Sequence, residues 1–236
     1  MTAPEPIESS VTPLIRGTAL AGRLFAQALT RVRVEGDLDA IPATGPVILA
    51  SNHVSNLDGV VLGAWLVPRI PRRIHMLGKK EMFDWPVIGY VARNGGVHPV
   101  DRGGADVEAF RLAQRILEQG HILLIFPEGT RSRDGRLQEA RDGLAMLALR
   151  TGAPIVPIGV ADSDHVWPRG QKLPRPRPGG RVTIRIGSPF RLADELPADV
   201  DRRTAKRLAT ELIMRRIASL LPARQRGAYG ERSEPA

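Results

Sequence analysis

Apolar positions along this chain fall into two alternating rhythms. Short apolar-rich runs at Val32–Glu35, Val47–Ser51, Ile74–Gly78, Val97–Val100, Ile122–Phe126, Ile155–Val160 and Val182–Ile186 predict strands. Three of them are almost unbroken, as expected of strands covered on both faces. Between them lie stretches with helical spacing near 57–67, 85–93, 105–119, 139–151 and 201–220. In the third, Val107, Phe110, Ala113 and Leu117 share a face and Gly120 is a stop. This alternation predicts a single α/β domain over residues 31–221. Its mostly parallel, mixed sheet of about seven strands is flanked by helices, and its chemistry lies in loops at strand ends.

The flanking segments read differently. Residues 1–10 carry two prolines and two glutamates and are expected to be a loose tail. From Val11 to Thr30 the residues Val11, Leu14, Ile15, Leu24, Phe25, Ala28 and Leu29 recur at helical spacing, with Arg16, Arg23, Gln27 and Arg31 opposite. Such a helix either packs on its own domain or lies in a membrane interface with arginines near lipid phosphates. Pro168 to Arg181, PRGQKLPRPRPGGR, is neither helix nor inner strand and reads as an extended basic loop. Residues 222–236 are polar and are expected to be disordered. The best apolar run, Gly59–Pro68, is about half of the ~18 residues that a membrane span needs. No basic start followed by an apolar run marks a signal peptide, so the expected location is cytoplasmic.

Composition narrows the function classes. With no cysteine, disulfides, thiolate metal sites and a cysteine nucleophile are excluded. The 34 basic residues against 25 acidic ones leave a net charge of +9, and only four of the basic residues are lysines. Such a surface suits phosphate groups, nucleic acid or anionic lipid. Aromatic residues are 4% of the chain, which weakens a nucleic-acid reading built on base stacking.

Three short constellations carry candidate chemistry. In Ser51–Gly59, SNHVSNLDG, His53 and Asp58 would stand about 140° apart on a continuous helix. They meet only if His53 lies in the loop and Asp58 in the first helical turn. Ser55-x-x-Asp58 resembles a capping box, so Asp58 either caps a helix or serves His53. In Gly95–Arg102, GGVHPVDR, Arg102 stands just past a strand and can offer a fork of donors to a phosphate. The plainer reading is a surface arginine paired with Asp101 or Asp106, and His98 reads as a packed strand residue. In Phe126–Ser132, FPEGTRS, Gly129 allows close backbone approach, and Thr130, Arg131 and Ser132 can surround an anion while Glu128 meets hydroxyls. A fourth segment, Ala153–Val160, reads as a buried strand with a proline kink.

The order and spacing of these blocks, Asn-His-x4-Asp, Gly-x5-Arg, Phe-Pro-Glu-Gly-Thr-Arg and Val-Pro, resemble the glycerolipid acyltransferases, most closely the bacterial 1-acylglycerol-3-phosphate acyltransferase family. Lys79-Lys80-Glu81-Met82 before Trp85-Pro86 adds to the likeness, which covers about residues 30–190. Departures are His98-Pro99 inside the second block and the absence of a full two-helix N-terminal anchor. A condensation-domain motif, His-His-x3-Asp-Gly, fails on spacing and on its first histidine.

The resemblance implies the glycerol-3-phosphate acyltransferase-like fold. It also implies transfer of a fatty acyl group from acyl-CoA or acyl carrier protein to the sn-2 hydroxyl of lysophosphatidic acid, giving phosphatidic acid. His53 is then the general base and Asp58 its orienting acid. Lys79, Arg102 and Arg131 are candidates for the phosphate seat, Gly129 and Thr130 shape the site, and Glu128 meets acceptor hydroxyls. No cofactor, metal or nucleic acid is expected, and the chain is expected to sit peripherally on an anionic membrane at the cytoplasmic face. Rival readings are acylation of another lysolipid, a thioester hydrolase using the same pair, and a non-catalytic anion-binding module.

Overall fold

The least polar runs become the middle of one sheet. A computed structural model of the chain describes residues 6–100 and 106–230. Its strands are β1 (Arg31–Glu35), β2 (Val47–Ser51), β3 (Ile74–Lys79), β4 (Val97–Val100), β5 (Ile122–Ile125), β6 (Ile155–Ala161) and β7 (Arg181–Ile186). They form a sheet in the order β1-β7-β6-β2-β5-β3-β4, parallel throughout except where β6 meets β7. The helices are α1 (Pro13–Leu29), α2 (Asp58–Leu66), α3 (Pro86–Asn94), α4 (Asp106–Glu118), α5 (Gly143–Thr151), the single turn α6 (Leu192–Glu195) and α7 (Arg202–Ser219). The predicted seven strands and mostly parallel sheet are therefore present, and α6 is the element that apolar spacing did not announce.

Alternation along the strands divides the core in two. On β2, every residue of which is buried, Leu49 joins the layer under α1 and α2, while Ile48 and Ala50 join the layer under α4, α5 and α7. The parallel arrangement also decides where loops go. The segments leaving β2, β3, β4, β5 and β6 all emerge at one edge of the sheet, with β2 central.

The first helix packs on its own domain and also leaves an apolar row exposed. Thr12 caps α1 by accepting from the Ile15 amide, and Pro13 opens it. Ile15, Ala19, Ala26 and Leu29 are buried, and α1 lies along α2, where Gly22 allows close approach to Val60. A second apolar row, Leu20, Leu24 and Phe25, faces outward. Among the described residues no helix is long and apolar enough to cross a membrane.

The chain ends correct the sequence reading. Residues 6–10, expected to be loose, are docked: the Ile7 amide donates to Gln119 Oε1 at 2.8 Å and the Arg73 amide to the Ser9 carbonyl at 3.0 Å. Residues 222–230, expected to belong to a disordered tail, form two short turns at Ala223–Gln225 and Gly227–Tyr229. Gln225 is buried and its carbonyl accepts from the Leu137 amide at 2.8 Å. Gly227, at φ 57°, lies so close to the Leu137 carbonyl that no side chain fits there. Polarity misled because Gln225 is buried to make hydrogen bonds, not to fill apolar space. Residues 1–5 and 231–236 lie outside the described residues.

A histidine cluster away from the loop-bearing edge gives the fold a predicted acid sensitivity. His75 on β3 is 1% exposed, its Nδ1 lies 3.0 Å from His98 Nε2, and its ring is 5.2 Å from that of His121. Burial, then His98, His121 and Arg73, push His75 down to about 3 from 6.5. Between those values the unfolded chain takes up a proton that the folded protein refuses. Stability is full above the unfolded value and falls as the pH drops toward the folded one. Urea midpoints should fall from about pH 7 to about pH 4, and His75→Phe should flatten that decline.

Candidate active site

The chain leaves the buried end of β2 as a loop clamped from both neighbouring strands. On the β6 side, Asn52 Nδ2 donates to the Val160 carbonyl at 2.9 Å and Asn52 Oδ1 accepts from the Val160 amide at 2.7 Å. On the β5 side, the His53 amide donates to Glu128 Oε1 at 2.6 Å and the His53 carbonyl accepts from the Ser132 amide at 2.7 Å. The peptide on each side of His53 is thereby fixed before its side chain does anything.

The side chain is fixed as well. The imidazole stacks on Phe126, with ring centroids 4.0 Å apart and planes 17° from parallel. His53 Nδ1 lies 2.8 Å from Asp58 Oδ2. With a buried carboxylate as its neighbour, Nδ1 carries the proton and donates it, which leaves the acceptor lone pair on Nε2. The His53 side chain is 20% exposed, so the ring has an open side.

Asp58, the first residue of α2, is fully buried. Its Oδ2 also accepts from the amides of Val54 and Ser55, each at 2.8 Å. The sequence posed capping and catalysis as alternatives. The structure favours the His53 contact: α2 has Leu57 at its N-cap with no side-chain bond there, and the Ser55 amide contact supplies only half of a capping-box pattern ahead of the helix. The other half of the box is absent: Ser55 Oγ accepts from the Leu57 amide and donates to the Trp167 carbonyl.

The remaining predicted residues are placed unevenly. Glu128 is beside the dyad but only 3% exposed, with Oε1 taken by the His53 amide and Oε2 by the Gln138 amide at 2.8 Å. The expected role on acceptor hydroxyls is therefore corrected: this carboxyl ties the β5 loop to the β2 loop. Gly129 follows at φ 67°, and a side chain there would meet that of Arg141 at 2.9 Å. Thr130 and Arg131 are half-buried in the same loop, and the Arg131 carbonyl accepts from Arg169 Nη1 at 2.7 Å. Lys79 is exposed at the end of β3, two strands or about 10 Å from β2 at the same edge. Arg102 lies outside the described residues, two positions past the end of β4.

Asn52, Phe126 and Gln138 were not singled out individually, although the first two lie inside the quoted blocks. Ser163, after β6, donates to Asp58 Oδ1, and no local pattern in the sequence signals it.

Burial, helped by repulsion from Asp58 and Asp134, pushes Glu128 up to about 8 against the lowering contacts from Gln138 and His53. Between 4.5 and about 8 the folded state holds a proton that the unfolded chain has released, so this group's contribution to stability falls as pH rises. Glu128→Gln should flatten that part of the urea-midpoint profile between about pH 5 and pH 8. The carboxamide keeps one acceptor but turns an NH2 toward the other backbone amide. Turnover should therefore fall about tenfold.

Residues 31–161 match the family model described as Acyltransferase. The chain is 30% identical over 145 residues to the 1-acyl-sn-glycerol-3-phosphate acyltransferase LPAT1, chloroplastic, of Arabidopsis thaliana, covering 60% of this chain and 39% of that protein. It is 32% identical over 150 residues to a 1-acyl-sn-glycerol-3-phosphate acyltransferase of Cocos nucifera, covering 62% and 46%. The matches thus span less than half the length of these relatives. The crystal structure of the 1-acyl-sn-glycerophosphate acyltransferase PlsC from Thermotoga maritima superposes with a TM-score of 0.69 at 23% identity, covering 87% of this chain and 79% of that one, and so shares the fold. With the family model covering more than half of its length, the chain belongs to the acyltransferase family.

Proposed function

We propose that the protein moves a fatty acyl group from acyl-CoA or acyl carrier protein to the sn-2 hydroxyl of lysophosphatidic acid, forming phosphatidic acid. The observation that carries this reading is the His53–Asp58 pair, with Nδ1 engaged and the ring otherwise open. The relatives named for that activity supply the acceptor.

A thioester is already activated, so the demanding task is making an alcohol nucleophilic. Water's pKa of ~15.7 and imidazole's of ~6.5 differ by about nine units, or about 12 kcal/mol. A free alkoxide is out of reach, so His53 Nε2 takes the hydroxyl proton as the oxygen–carbonyl bond forms. Asp58 stabilises the resulting imidazolium through Nδ1. Collapse of the tetrahedral intermediate expels the thiolate, which receives that proton from Nε2. The enzyme forms no covalent bond to the acyl group. Arg131, Lys79 and Arg102 are proposed to seat the acceptor phosphate, Gly129 and Thr130 shape the loop beside it, and Glu128 holds the histidine backbone.

Purified protein should acylate lysophosphatidic acid when incubated with acyl-CoA and a panel of lysolipids, with products read by mass spectrometry. His53→Ala should lose about 10²–10⁴-fold in rate. Arg102→Ala should lose far more with lysophosphatidic acid than with a phosphate-free acceptor. Release of free fatty acid with no acylated lipid would replace this reading by thioester hydrolysis.

The membrane proposal rests on surface chemistry. Leu20, Leu24 and Phe25 of α1, with Trp85, Ile88 and Tyr90 at and along α3, are exposed apolar or aromatic side chains on a protein of net charge +9. They suit peripheral binding to an anionic membrane, here assigned to the cytoplasmic face. Co-sedimentation with anionic liposomes should weaken as salt rises and on Leu24→Glu with Phe25→Glu. Binding indifferent to both changes rules this attachment out.

A further inference from the structure

The two oxygens of the Asp58 carboxylate are held very differently. Oδ2 receives His53 Nδ1 and the amides of Val54 and Ser55. Oδ1 has one hydrogen-bond partner among the described residues, the hydroxyl of Ser163. Both residues are fully buried. The two oxygens turn together about the Cβ–Cγ bond, so the one contact on Oδ1 also helps to hold Oδ2 against its three donors.

We propose that Ser163 is a positioning residue for catalysis: its hydroxyl, donated to Asp58 Oδ1, sets the carboxylate rotation that keeps Oδ2 on His53. This rests on His53 acting as the general base. Among the described residues the hydroxyl of Ser163 reaches His53 through Asp58.

The turn carrying Ser163 is itself held in place. Asp162, at φ 68°, is the one described non-glycine residue in the left-handed region, and it redirects the chain after β6. A non-glycine residue persists there only when its surroundings enforce it. Here the enforcement comes from the C-terminal turn. Gln225 Oε1 accepts from the Asp162 amide at 3.3 Å, Gln225 Nε2 donates to Asp164 Oδ1 at 3.2 Å, and Arg224 forms an ion pair with Asp162. The Ser163 carbonyl accepts from the amides of Val166 and Trp167, each at 3.0 Å. A continuous path of hydrogen bonds and backbone therefore runs from Gln225 through the Asp162 turn to Ser163, Asp58 and His53.

The test uses the full chain with acyl-CoA and the lysolipid that the wild type acylates. Ser163→Ala should lower kcat about tenfold with the KM of both substrates unchanged. In an Asp58→Asn background the same change should alter kcat by less than about twofold, because the carboxylate it serves is gone. Equal losses in both backgrounds, a loss carried by KM, or a kcat within about twofold of wild type each overturn the proposal. A second readout needs no substrate. The NMR signal of the His53 Nδ1 proton should exchange slowly in the wild type and broaden in Ser163→Ala at nearly unchanged melting temperature. A persistent sharp signal refutes the positioning role, whereas a wrong choice of acceptor leaves this readout untouched.

Discussion

A carboxylate with no solvent exposure sits where β2 gives way to α2, and most of the local architecture follows from keeping it satisfied. A buried charge is tolerated only when its lone pairs are filled by well-placed donors. Asp58 finds four, three from residues 53–55 and one from Ser163. The fourth comes from a segment 105 positions away in sequence. Only the parallel pairing of β2 with β6, Ser51 opposite Ile158, brings those loops side by side. The reciprocal Asn52–Val160 contacts lock that junction. From the other neighbour, β5, Glu128 grips the His53 amide. The loop that carries His53 is thus a bridge between three adjacent strand ends.

This arrangement explains how much could be read from the sequence. The strands were legible because a residue covered by helices on both faces must be apolar, so Val47–Ser51 and Ile155–Val160 announce themselves. His53 and Asp58 were legible because their five-residue separation excludes a shared helical face and leaves a loop-to-helix junction. Ser163 was not, since a serine after a strand has dozens of equivalent uses and its partner is distant. Gln225 was missed for a related reason: polar composition predicts exposure unless a specific set of buried donors and acceptors awaits the side chain. Glu128 lies beside His53, but its two oxygens serve backbone amides and not the expected acceptor hydroxyls. A glutamate in a glycine-containing loop resembles a substrate contact until both oxygens are seen to be occupied by backbone amides.

The buried groups outside the dyad show the same logic with different results. Desolvation penalises whichever form is charged, so it lowers His75 and raises Glu128. His75 answers by staying neutral among other histidines, at no cost to the loop-bearing edge. Glu128 cannot be replaced by an apolar residue without stranding the His53 and Gln138 amides, so the fold retains an unfavourably buried acid beside His53. Position in the hydrogen-bond network, more than burial alone, decides which of these residues the site can spare.

The first helix was ambiguous in sequence because it serves two surfaces. One apolar row is spent on α2, and the second, Leu20, Leu24 and Phe25, is left outward. That outward row is not mechanically remote from the dyad. The Phe25 ring meets Trp167 edge-on at 6.0 Å. The Trp167 carbonyl accepts from the Asn56 amide at 3.0 Å and from Ser55 Oγ at 2.7 Å, inside the loop that carries His53. At the far end of α1, the Leu29 carbonyl accepts from the Arg177 amide of the basic segment at 2.7 Å. On the proposed reading the acceptor is an amphiphile whose tail favours the bilayer and whose hydroxyl must reach Nε2. On the same reading, docking through α1, which is joined to the His53 loop by these contacts, would fix the height of the histidine above the membrane and so set the geometry of docking and of proton transfer together.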